Sequence, residues 1–313
     1  MISRRNPTIR QLIAKYCSNE AGKGLGSNSS QISRLDLIRL VQQYTGRMGP
    51  DWVLVLDQEA TGELQEVFES MIARLKAGEP LQYVLGRWGF RTLDLEVVPG
   101  VLIPRPETEQ LVQVAICEAR NMHSAGDANT QSELQRDEDF LVADLGTGSG
   151  AIALSIAAEL NGEIRKLIVR ATDVADTPIE VASRNLECVG NLANVEFFKG
   201  SWYEALPKGE KGLYRLIVSN PPYLSAQELD EVEPVVRDWE PHGALVAGPT
   251  GMEDIEVLVR GAEEWLCPGG ALILELAPSQ STLATKLAIE SGLEHSRIVK
   301  DLNGLDRILV AKR

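Results

Sequence analysis

The chain has 313 residues, and its 45 acidic side chains exceed its 31 Lys and Arg enough to give a formal net charge of −14. That length accommodates a core domain and a smaller companion, and 44% hydrophobic with 24% charged residues excludes a disordered or fibrous chain. The acidic excess argues against a broad phosphate-binding surface, which requires clustered Lys and Arg. No apolar run is long enough to span a bilayer, and Arg4, Arg5 and Arg10 are not followed by the apolar segment of a signal peptide. Cys17, Cys117, Cys188 and Cys267 form no CxxC pair, and His123, His242 and His295 lack metal-ligand spacing. The expectation is a metal-free protein in a reducing, cytoplasmic setting.

The first part of the chain is predicted helical. "TIRQLIAKYC", "SRLDLIRLVQQYTG" and "ELQEVFESMIARLKAG" place apolar residues at intervals of three and four, with Thr8, Ser33 and Thr61 as caps. "EPLQYVLG" closes a helical domain over 1–86. Short extended pieces in "WGFRTLDLEVVPGVLIPRP" predict a β-hairpin linker over 87–106. After the helix "TEQLVQVAICEAR", the polar stretch Asn121 to Asp139 reads as an exposed, mobile loop. From "FLVADLG" onward strands alternate with helices, which predicts an α/β domain over 107–313 built on a mostly parallel sheet. Its last two strands, "SRIVKDL" and "DRILVAKR", are joined through "NG" as an antiparallel hairpin at the sheet edge.

In such a sheet ligands bind at the carboxyl ends of the strands. "VADLGTGSGAIA" is a glycine-rich turn from strand to helix: Gly146, Gly148 and Gly150 permit positive φ and close backbone approach, and the helix start offers free amide donors. Asp173 closes the next strand, where an acceptor for ribose hydroxyls is expected. A glycine turn alone is a weak signal that favours a bound cofactor over a plain tight connection, and the spacing of Gly146, Gly148 and Ala151 also satisfies a dinucleotide fingerprint. Trp202, after the third strand, stands where an aromatic ring could lie against adenine, and such surroundings suit a sulfonium-bearing adenosine; a core tryptophan is the plainer alternative.

The stretch "RLIVSNPPYLS" ends a strand abruptly on Asn220, because Pro221 and Pro222 have fixed φ and no backbone donor. An isolated Asn-Pro turn is common, but here it sits beside the expected pocket. The side-chain oxygen of Asn220 and the carbonyl of Pro221 could both accept from an incoming NH2 group, and Tyr223 could pack on the planar amide or base that bears it. Two acceptors favour a pyramidal, electron-richer nitrogen in the transition state of methyl transfer.

Together with "EPLQYVLG", "LIPRPETE" and "VRDWEPHGALVAGPTGMEDIE", the motifs "DLGTGSG", "ATDV", "SWYEAL" and "VSNPPY" resemble the HemK/PrmC family of class I methyltransferases from about Glu79 onward. The resemblance implies a Rossmann-like sheet, S-adenosyl-L-methionine as cofactor, and class 1 peptide chain release factors as partners. The methylated group would be the glutamine of their Gly-Gly-Gln motif, at its side-chain nitrogen N(5). It further implies that the N-terminal helical domain binds the partner, with no direct nucleic acid and no membrane involved. By the same resemblance the cofactor contacts fall on Gly146, Thr147, Gly148, Ser149, Gly150 and Asp173, adenine stacking on Trp202, and the amide clamp on Asn220, Pro221, Pro222 and Tyr223, with Asn220 also bordering the cofactor. Leu102 to Glu109 resembles a loop beside the family's active site. Ser201 departs from the acidic residue common before the aromatic.

Three other readings make distinct demands. An adenine-amino methyltransferase acting on DNA or RNA poses the same NH2 problem but must extrude its base and hold phosphates. A binding module without turnover has no need of an intact Asn220–Tyr223 stretch. A dinucleotide oxidoreductase predicts NAD binding and gives that stretch no role.

Overall fold

The computed structural model describes residues 6–18, 32–47, 49–128, 139–190, 192 and 194–313. The chain divides into two compact units: one takes Met1–Gly86 with Pro234–Trp239, the other Arg87–Glu233 with Glu240–Arg313.

The first unit contains α1 (Ile9–Ser18), α2 (Arg34–Thr45), α3 (Gly62–Lys76) and α4 (Leu81–Leu85). Ser33 caps α2 reciprocally: its hydroxyl accepts from the Asp36 amide at 3.2 Å, and the Asp36 carboxylate accepts from the Ser33 amide at 2.9 Å. Thr61 caps α3 by accepting from the Leu64 amide at 3.1 Å, and Thr8 accepts from the Gln11 amide at 3.3 Å. Leu37, Leu40 and Val41, spaced for one face of α2, meet Phe68 of α3 in the unit's core. Arg10 pairs with Asp57 at 2.9 Å, whereas Arg4 and Arg5 lie outside the described residues.

The second unit opens with an antiparallel hairpin, β1 (Arg87–Phe90) and β2 (Leu93–Glu96), followed by α5 (Pro106–Ala128). Helix α5 corrects the expected loop from Asn121 to Asp139: residues 121–128 are helical, and 129–138 lie outside the described residues. Met122 continues the apolar stripe of Ala115 and Ala119 and packs on the same core, so the helix runs on past the point where its exposed face turns wholly polar.

The remaining elements are β3 (Phe140–Leu145), α6 (Ala151–Leu160), β4 (Leu167–Asp173), α7 (Asp176–Val189), β5 (Val195–Lys199) and β6 (Tyr214–Ser219). After them come the short β7 (Leu224–Ser225), α8 (Pro234–Arg237, within the first unit), β8 (Val246–Gly248), α9 (Glu253–Trp265), β9 (Leu266–Glu275), α10 (Ser281–Glu290), β10 (His295–Lys300) and β11 (Asp306–Lys312). Seven strands form one sheet in the order β10-β11-β9-β6-β3-β4-β5. β9, β6, β3, β4 and β5 are parallel, while β11 and β10 add the expected antiparallel hairpin at the edge.

Alternating side chains send Val142, Val218 and Ile273 to the face covered by α5 and α6, and Ala143, Ile217 and Leu272 to the face covered by α9 and α10. The chain moves outward from β3 to β5 and returns at β6, beside β3. That reversal opens a crevice at the carboxyl ends of β3 and β6.

Candidate active site

The crevice is a cavity of about 320 Å³, within the size range of small-ligand sites. Among the expected residues Gly146, Thr147, Gly148, Ser149, Asp173, Trp202, Asn220 and Pro222 line it. Gly150, Pro221 and Tyr223 adjoin these residues in sequence and do not line it.

The glycine turn is held from beneath. The amides of Gly146 and Thr147 both donate to the Thr172 carbonyl, at 2.9 and 2.8 Å, tying the turn to the end of β4. Asp144 is fully buried, and its Oδ2 accepts from the Thr147 hydroxyl at 2.6 Å and from the Ala153 amide at 3.1 Å. Burial pushes its carboxyl up to about 7. Gly150 has φ +83°, and a Cβ there would approach Leu154 Cδ1 to 3.1 Å and Ala182 Cβ to 3.2 Å. The turn therefore requires glycine both for conformation and for close packing of α6 against α7. Asn185 of α7, wholly buried, donates to the carbonyls of Ser149 and Glu96 and accepts from the Glu96 amide, which joins the turn to β2.

Asp173 sits half-buried at the end of β4. Its Oδ2 accepts from the Gly148 amide at 3.0 Å and its Oδ1 from the Ala175 amide at 3.1 Å, and burial raises its carboxyl above the ordinary range. Trp202 has φ +44°, a left-handed conformation costly for a bulky residue and found where the surroundings enforce it. Its indole N–H donates to Asp254, and a Cβ on Gly146 would come within 3.1 Å of its ring. The ring thus closes on the glycine turn as a flat side wall.

Across the crevice, Asn220 follows β6. Its NH2 group donates to the Thr108 hydroxyl at 3.1 Å, and Thr108 donates to Glu275 Oε2 at 2.8 Å. Pro221 is buried, and Tyr223 packs against the core under α9 and α10. Burial pushes the Tyr223 hydroxyl up to about 12, so it stays protonated. Gln280 donates from one amide nitrogen to the carbonyls of Tyr223 and Gly251, both at 2.9 Å, pinning the backbone after the two prolines. In the Leu102–Glu109 loop Arg105 pairs with buried Glu240, which also accepts from the Ile103 amide at 3.1 Å.

Sequence reasoning missed Thr108, Glu240, Asp254, Glu275 and Gln280. A signal existed for Glu275, a lone carboxylate inside the buried apolar run "ALILELA". None distinguished Thr108 within its loop.

The residues fit S-adenosyl-L-methionine. The glycine turn presents backbone at Gly146 and Gly148, Asp173 presents a carboxylate, Trp202 presents a flat apolar face, and Arg105, the cationic side chain in the lining, is paired with Glu240. A parallel sheet reversing at β3 and β6, with this turn on one side and Asn-Pro-Pro-Tyr on the other, defines a class I S-adenosylmethionine-dependent methyltransferase. The catalytic domain of hMettl16, in complex with an RNA hairpin, shares this fold with a TM-score of 0.51 at 18% identity, over 75% of this chain and 81% of that one.

Family comparison narrows the class. Residues 18–86 match the PrmC N-terminal domain and residues 116–237 the methyltransferase small domain. A release factor glutamine methyltransferase of Coxiella burnetii is 32% identical over 94% of this chain and 98% of its own length. Another, of Xylella fastidiosa, is 38% identical over 79% of this chain and 81% of its own. The chain belongs to the release factor glutamine methyltransferase family.

Proposed function

We propose that this protein methylates the side-chain amide nitrogen N(5) of the glutamine in the Gly-Gly-Gln motif of class 1 peptide chain release factors, in the cytoplasm. Its N-terminal helices, residues 1–86, serve the partner, 87–106 link, and 107–313 carry the chemistry. S-adenosyl-L-methionine, when bound, supplies an electrophilic methyl group on a sulfonium. Gly146, Thr147, Gly148, Ser149 and Gly150 hold its amino-acid end, Asp173 its ribose, and Trp202 its adenine, with Asn220 bordering it. Asn220 Oδ1 and the Pro221 carbonyl accept from the two N–H bonds of the substrate amide, while Pro222 and Tyr223 stiffen and shape that clamp. The protein's contribution is orientation and hydrogen bonds that strengthen as the nitrogen becomes pyramidal. No strong base is needed, since the proton leaves after transfer.

The observation that supports this reading most is the placement of Asn220. It stands at the strand end facing the glycine turn, with its nitrogen committed to Thr108, so its oxygen is the group left to accept. The test is transfer of labelled methyl to a purified class 1 release factor, with nucleic acid of mixed sequence offered in parallel. Label should appear on the protein alone. Asn220→Ala should cut transfer by roughly a hundredfold or more, the scale of losing one transition-state hydrogen bond in a preorganised site, while cofactor affinity stays measurable. Label on the nucleic acid would favour an adenine-amino methyltransferase, and undiminished turnover in the variant would sink the clamp.

A further inference from the structure

Thr108, in the first turn of α5, Glu275, the last residue of β9, and Asn220, just after β6, are brought together from three elements. Thr108 and Glu275 are 4% and 1% exposed, so their bonds are shielded from competing water. A carboxamide is nearly the same shape either way round, and only its partners decide whether oxygen or nitrogen faces a substrate. We propose that Thr108 and Glu275 are positioning residues that orient the Asn220 carboxamide, so that its oxygen rather than its NH2 group meets the substrate amide. This rests on the clamp described above and deepens it.

The direction follows from counting protons. The Thr108 hydroxyl has one, and at 2.8 Å an ionised Glu275 takes it. Thr108 must then accept at its lone pair, and the only group of Asn220 that can donate is its nitrogen, at 3.1 Å. The relay Asn220 to Thr108 to Glu275 is thus polarised by one buried carboxylate. If Glu275 carries a proton, it can donate to Thr108, Thr108 can donate onward, and the carboxamide can turn to accept through its oxygen. An NH2 group would then face the substrate's own NH2, donor against donor.

The charged and titratable groups around Glu275 are Arg105 and Glu107 before α5 and in its first turn, Arg307 on β11, and Tyr223 after β6. The Leu276 amide donates to the Arg307 carbonyl at 3.0 Å, which fixes the strand end on which Glu275 stands. Burial pushes the Glu275 carboxyl up to about 7, with Thr108 and the arginines opposing the shift and Glu107 adding to it. Ionised Glu275 is the competent form, so transfer should rise with pH through that value.

The experiment measures single-turnover methyl transfer to a release factor from about pH 6 to about pH 8.5, bracketing that titration, with cofactor affinity by calorimetry at each pH. Wild type should show the rising limb while cofactor affinity stays level. Glu275→Gln should flatten it. Thr108→Val should slow transfer about tenfold or more, the scale of one lost buried hydrogen bond, with cofactor affinity and partner KM within about twofold, and Thr108→Ser should restore it. Wild-type rates in Thr108→Val beside a crippled Asn220→Ala would overturn the relay and leave the clamp standing. Wild-type rates in Asn220→Ala as well would overturn the clamp itself. Should Thr108→Val fail to fold, the pH profiles decide: a limb that persists unchanged in Glu275→Gln, or is missing from wild type, contradicts the proposal.

Discussion

Asp173 spends both carboxylate oxygens on the backbone around it, one on Gly148 and one on Ala175. A carboxylate so placed organises the glycine turn and can accept from hydroxyls at the same time, since each oxygen has two lone pairs. Asp173→Ala should weaken S-adenosyl-L-methionine binding about tenfold to a hundredfold, the scale of losing hydrogen bonds to a charged group, as read by calorimetry. An unaltered dissociation constant would put the ribose elsewhere. At this scale the residues legible in the sequence were those whose chemistry is written locally: the glycines, the carboxylate ending a strand, the Asn-Pro-Pro-Tyr stretch. Thr108 and Glu275 lie 167 positions apart, and the bond between them exists only once the sheet has brought β9 beside β6. Nothing local to either residue announces the other.

The connection from β3 to α6 is the element on which the site depends. Its conformation is set by Gly150 at φ +83°, where an added Cβ would crowd Leu154 and Ala182. Gly150→Ala should destabilise the protein by about 1–2 kcal/mol from the left-handed conformation alone, with crowding adding to it, seen as a lower thermal midpoint together with weaker cofactor binding. An unchanged midpoint would mean that the turn relaxes freely, against this account. Elements with a repeating apolar pattern and a capping residue were legible, as α2 and α3 behind Ser33 and Thr61 illustrate. The end of α5 was not, because its continuation past Arg120 carries a single half-buried methionine, Met122, and no proline or glycine stop before Gly126. The short strands β7 and β8, of two and three residues, were equally silent, being too short to carry a period.

For the whole molecule, the order of strands along the chain implied a parallel sheet but not which strand would be central. That follows from the return of the chain at β6, which sets Asn220 opposite the glycine turn. The excess of 14 negative charges disfavours a phosphate backbone as the thing bound and is compatible with a protein partner. No helix among the described residues is long and apolar enough to cross a membrane. The most direct test of the whole account is mass spectrometry of a class 1 release factor after incubation with this protein and S-adenosyl-L-methionine, beside the same factor with its Gly-Gly-Gln glutamine changed to alanine. One added methyl on that glutamine, absent from the altered factor, is the predicted result. An unmodified glutamine in the presence of bound cofactor, or a methyl placed on any other residue, would contradict it.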